Sequence, residues 1–170
     1  MDEIDVFGIP VPDAGPVFFT ALGVHVAAGL CCVGCGAVAA LSLKGGAWHV
    51  RSGRIYLWGL GVVWASMAVL SVIRWRENAG LFAVGTLALV AALAGYTMRR
   101  RRPALHITGM GASYIALLTG FYLDNGPHLP LWEQLPRWSH GALPSVVGVP
   151  LIALALWRRS PMRTAKKVTS

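Results

Sequence analysis

Long uncharged apolar runs alternate along the chain with short segments that gather the charge. The runs cover 17–43, 55–73, 79–98, 104–123 and 143–157. Crossing about 30 Å of hydrocarbon takes about 20 apolar residues in a helix. The first run, at 1.5 Å per residue, is about 40 Å long, so it tilts or projects beyond the bilayer. Pro103 suits the first position of the fourth helix, where its missing N–H costs nothing. The fifth run is short and contains Pro150, which predicts a kink. Ser139 offers an earlier start for it, and a re-entrant segment is the alternative to a span. The pattern predicts an all-α integral membrane helical bundle with five transmembrane helices.

Charge sets the orientation. Lys44, Arg51, Arg54, Arg99, Arg100, Arg101, Arg102, Arg158, Arg159, Arg163, Lys166 and Lys167 fall on one side of a five-span chain. Only Arg74, Arg76 and Arg137 fall on the other, together with all seven acidic residues. The positive-inside rule then puts the N-terminus outside and the C-terminus in the cytoplasm of a bacterial inner membrane. Dropping the fifth helix would move the basic tail to the wrong side. Trp48, Trp75, Trp132, Trp138 and Trp157 lie near the expected interfaces, as an aromatic belt requires.

Composition agrees. The chain has 170 residues, of which 55% are hydrophobic and 13% charged; soluble domains average about 25% charged. The net charge of +8 does not indicate nucleic acid, because the basic residues sit at the ends of apolar runs. Residues 1–16 are acidic and proline-rich, unlike a cleaved signal peptide, and predict an external extended tail that stays attached. The transmembrane domain is 17–157. Its external loop, 124–142, reads either as a lid on the outer face or as an ordinary interfacial loop. The basic cytoplasmic tail, 158–170, is expected to lie against anionic lipid.

Candidate chemistry rests on a few polar residues. Ionisable groups in a span are expensive, which marks them as functional candidates. His25 shares a helical stripe with Gly29, Cys32, Gly36 and Ala39, and small residues there favour close helix packing. His106 shares one with Met110, Ser113, Leu117, Gly120 and Asp124. His49 and His106 fall at similar depth on the cytoplasmic side. They are candidate ligands for haem b iron, because neutral imidazole binds it well. His25 lies nearer the outside and would need another partner, His128 or His140. Arg51 and Arg54 could meet haem propionates or another anionic group. Cys32 and Cys35 form a C-x-x-C, read here as packing residues beside Cys31. The run Arg99, Arg100, Arg101 and Arg102 reads as a topology anchor, with acidic-lipid recognition as the alternative. No phosphate loop, H-E-x-x-H or G-x-S-x-G occurs. That absence leans against an enzyme.

The segment KGGAWHVRSGRIY fits a K-G-x-x-x-H-x-x-x-G-R-x-Y motif through Lys44, Gly45, His49, Gly53, Arg54 and Tyr56. With His25 upstream and His106 downstream, the chain resembles a bacterial family of predicted multi-pass membrane proteins described as a domain of unknown function. Val50 is a departure, since the family's histidine is commonly followed directly by arginine. The resemblance covers about 17–157 and implies a multi-pass membrane fold with interest in the three histidines. It supplies no activity.

Two functional readings follow. One is a non-enzymatic membrane protein with a binding or partner role, built on a polar cluster of His25, His49, His106, Arg54 and Tyr56. The other is a small haem b or quinone-linked redox protein. Expected partners are the bilayer, anionic lipid at the cytoplasmic face, and a second copy or another membrane protein.

Overall fold

The computed structural model describes residues 3–6, 9–12, 15–126, 129 and 134–159. Its elements are strands β1 (Glu3–Val6) and β2 (Ile9–Pro12) and helices α1 (Gly15–Leu41), α2 (Ala47–Ile73), α3 (Trp75–Thr97), α4 (Pro103–Asn125) and α5 (Arg137–Arg158). All five helices are long and apolar enough to cross a membrane. The chain is thus a multi-pass, helical membrane protein. Within the N-terminal tail, β1 and β2 pair antiparallel with Val6 opposite Ile9. Pro10 and Pro12 carry no N–H to donate to the ladder.

Helices α2 to α5 are longer than their apolar runs, while α1 matches its run in length and lies two residues earlier. α2 begins at Ala47 and not Ile55, so Arg51 and Arg54 lie in its first turns and not in a loop. Arg is a good helix former, and only the Gly45–Gly46 region is needed for the reversal. Gly45 sits at φ 83°, a conformation open to glycine at little cost. Lys44 Nζ then caps the end of α1 by donating to the carbonyls of Ala39 (3.2 Å) and Ala40 (2.5 Å). α5 begins at Arg137, after Pro136, and runs through Pro144 and Pro150. Between α2 and α3 the chain turns at the single residue Arg74. Asn78 Nδ2 donates back to Leu70 O (3.1 Å) and ties that corner.

Consecutive helices pack as neighbours, and α1 also touches α4. Helices α1 to α4 therefore close around one core, while α5 lies against α4. The core is Cys32, Tyr56, Leu60, Val63, Ala88 and Ala92, flanked by Met110, Tyr114 and Leu117 of α4. Small residues set the closest approaches, as expected where lipid gives no hydrophobic drive to helix pairing. A Cβ on Gly95 would stand 2.8 Å from Met110 N, and one on Gly109 2.7 Å from Ala91 O. Gly148 and Gly111 receive Ile115 and Ile152 in the same way between α4 and α5.

Candidate functional site

Three histidines share one arrangement. His49 Nδ1 donates to Ala39 O (2.9 Å), linking α2 to the end of α1. His106 Nδ1 donates to Gly95 O (3.0 Å), linking α4 to the end of α3. His25 Nδ1 lies 3.2 Å from Val63 O and 3.1 Å from Ser66 Oγ, linking α1 to α2. A carbonyl only accepts, so Nδ1 carries the proton in each ring. In the neutral imidazole Nε2 then keeps its lone pair. Metal-binding histidines use this same backbone anchor to fix tautomer and ring orientation.

Two of the three meet. The rings of His49 and His106 lie 6.1 Å apart between centroids, with their planes at 85°. Each is held from behind by a different neighbouring helix, so the pair bridges the α1–α2 and α3–α4 hairpins at one end of the bundle. Two turns along the same helix faces, the Tyr56 hydroxyl and Ser113 Oγ share a hydrogen bond of 2.7 Å. Tyr56 is 2% exposed and Ser113 0%, so this bond forms a closed floor. It stands about 10 Å along the helices from the histidine pair. The Tyr114 ring packs against Tyr56, and its hydroxyl donates to Val33 O (2.9 Å) across to α1.

The other candidates sit elsewhere. His25 and His49 each tie α1 to α2, at points fourteen residues apart on both helices, or about 21 Å. His25 therefore lies near the opposite end of the bundle from His49 and His106. His140 is buried at the start of α5 and packs against Gly126. His128 lies outside the described residues, as do residues 127 and 130–133, Trp132 among them, and the tail beyond Arg159. Arg51 and Arg54 are exposed. At 100° per residue their positions point well away from the His49 face of α2.

Among the thiols, Cys32 is buried and donates to Tyr56 O (3.6 Å), with Gly59 leaving room for its sulfur. The close sulfur pair is Cys31 and Cys35, 4.0 Å apart on successive turns. Among the described residues no three His, Cys, Asp or Glu side chains gather as a metal site. A two-ligand site suits a group that brings most of its own donors.

Beside the pair the surface is basic. An open cleft of about 530 Å³ runs between the first turn of α4 and the last turn of α5, lined by Pro103, Ala104, Leu156 and Arg159. Ala104, two residues before His106, lies about 160° round α4 from it, on the side turned to α5. Burial and the nearby Arg159 charge push the Lys44 ammonium below its ordinary value. Lys44, Arg51, Arg54, Arg99, Arg100, Arg101, Arg102, Arg158 and Arg159 all lie at this end, with no acidic residue among the described ones. An ion pair of Arg74 with Glu77 (3.3 Å) lies at the other end.

Fold and site together define a five-helix multi-pass membrane protein with a backbone-anchored histidine pair at its basic end. Comparison of the chain with family models, characterised proteins and solved structures gives no match.

Proposed function

We propose that the protein is a haem b-binding protein of the bacterial inner membrane, with iron held between His49 and His106. The carrying observation is the pair itself: two anchored imidazoles, each with Nε2 left to bind. Their ring centres lie 6.1 Å apart, and His49 and His106 would hold the iron of a bound haem through Nε2. Haem brings four further nitrogens, so two protein ligands complete the iron. When bound, it would supply one-electron redox chemistry. The protein's part is to fix both rings and to close the inner side with the Tyr56–Ser113 floor.

The same proposal includes topology and partners. The basic end faces the cytoplasm by the positive-inside rule, the N-terminus faces outward, and anionic lipid covers the basic face. Kinship with the family carrying the His…KGxxxHxxxGRxY…His pattern belongs to this reading too.

A second reading has the histidines as staples alone, in a colourless protein with a binding or partner role. It is favoured by His25, which makes the same backbone anchor at the opposite end of the bundle from the pair. The absorption spectrum of detergent-purified protein, expressed with ample haem, separates the two. A Soret band that shifts with dithionite, with sharp reduced α and β bands, supports haem. A featureless spectrum supports the staples.

A further inference from the structure

The seam between α4 and α5 changes character along its length. In its middle, Ile152 lies against Gly111 and Ile115 against Gly148, leaving no room for a Cβ on either glycine. Ala104 stands seven residues before Gly111, and Arg159 seven after Ile152. Seven residues are almost two turns, so both continue the faces that meet at the seam. Here Pro103 and Ala104 offer short side chains opposite Leu156 and Arg159, and the seam opens into the cleft of about 530 Å³. Three of its walls are apolar, and the fourth is a guanidinium at the boundary where α5 ends. The charge of Arg159 also reaches Lys44, and Arg102 and Arg158 adjoin the lining residues in sequence. No acidic residue occurs between Asp13 and Glu77, between Glu77 and Asp124, or after Glu133, so none faces these cations at this end. An apolar groove in a bilayer, with a forked cation at headgroup level, suits a lipid. Its chain lies along the groove and its phosphate pairs bidentately with the guanidinium. A zwitterionic headgroup would bring an ammonium among these cations with no carboxylate to receive it, so the charge pattern selects an anionic lipid.

We propose that the cleft is a discrete site for one anionic glycerophospholipid, its phosphate paired with Arg159 and the start of an acyl chain laid between Ala104 and Leu156. The inference rests on the reading that the basic end meets anionic lipid. It is independent of the histidine pair, because the cleft lies on the other side of α4 from His106. A lipid seated there closes the open end of the seam and holds α5, the helix outside the four-helix core, against α4.

The test is native mass spectrometry of the full chain in detergent, titrated with phosphatidylglycerol or phosphatidylcholine of the same acyl chains. Wild type is compared with Arg159→Gln, Arg159→Lys, Ala104→Phe and Arg101→Gln. Ala104 is exposed, so a ring there fills the cleft and leaves the charge unchanged. Arg101 is exposed and does not line the cleft, so it reports the general attraction of the basic face. Wild type should hold one phosphatidylglycerol per chain about tenfold more tightly than phosphatidylcholine. Arg159→Gln should remove that preference and Arg159→Lys keep part of it, which a misfolded variant would not. Ala104→Phe should lose the single bound lipid, and Arg101→Gln should retain it. Equal losses in Arg159→Gln and Arg101→Gln would overturn the cleft and leave the basic face attracting lipid as a whole. Full binding by Ala104→Phe would overturn it too, since the guanidinium would then act without the groove. A wild type indifferent to the two lipids would overturn the anionic-lipid reading and this inference with it.

Discussion

Gly95 couples stability to the site, so substituting it is informative. A methyl group there would stand 2.8 Å from Met110 N and 3.1 Å from Gly109 C and Cα. Ordinary carbon contacts begin near 3.5 Å. The clash is with backbone, which cannot rotate away, so α3 and α4 must separate by roughly 0.7 Å, the shortfall from that contact distance. Overpacking of this kind costs about 1–3 kcal/mol. Alanine recovers up to about 1 kcal/mol through its better helix propensity. Gly95→Ala should therefore destabilise by about 1–2 kcal/mol net. Gly53→Ala is the control, because nothing lies within 4 Å of its Cβ. It should stabilise by about 0.5–1 kcal/mol. The assay is equilibrium unfolding in mixed micelles with increasing SDS, read by tryptophan fluorescence. The expected gap between the two variants is about 2–3 kcal/mol. Equal stability would refute the close α3–α4 approach. Since Gly95 O also holds His106, the same variant should weaken haem binding where Gly53→Ala does not.

Other perturbations read separate parts of the structure. His49→Ala and His106→Ala should each abolish the six-coordinate haem spectrum, while His25→Ala, about 20 Å away along the helices, should leave it unchanged; loss of colour in His25→Ala would break the assignment. Ser113→Ala should cost more than Tyr56→Phe in SDS unfolding, on the order of 2 against 1 kcal/mol. An orphaned Ser113 hydroxyl can turn to its own helix carbonyl, as Thr86 and Thr108 do, whereas the Tyr56 hydroxyl cannot; the reverse order would contradict the buried pair. In detergent, a small maleimide should label exposed Cys31 well before buried Cys32, read by peptide mass spectrometry. A reporter fused after Ser170 should read cytoplasmic, and a periplasmic reading would contradict the proposed orientation.

The five spans were legible because hydrocarbon thickness dictates the length of an apolar run. Their ends were not, because a helix does not stop where hydrocarbon does. Backbone hydrogen bonding continues through Trp48, Arg51 and Arg54 into the interface, and through Arg137 to His140 at the start of α5. That shift matters for the site. A loop at 44–54 could aim Arg54 anywhere, but a helix starting at Ala47 turns it away from His49. The inward stripes were readable from spacing: Cys32 and Ser113 are buried, and Gly36 lies against Tyr114 and Tyr56. The matched depth of His49 and His106 was likewise readable, since each sits close behind a turn at the basic end. The carbonyls of Ala39 and Gly95 were invisible, because every residue carries one and only packing selects among them. Tyr56 was marked by its motif and Ser113 by its stripe, but their bond spans two helices distant in sequence.

The most direct test of the two-histidine claim is the low-temperature electron paramagnetic resonance spectrum of the oxidised, haem-loaded protein. Two axial imidazoles whose planes lie near the observed 85° leave the two iron orbitals that π-bond to them almost equal in energy. The account expects a low-spin ferric signal of very large g anisotropy. A high-spin signal would mean that at most one histidine binds. A well-resolved rhombic low-spin signal would mean near-parallel rings, and the absence of any haem signal would leave His49 and His106 as helix staples.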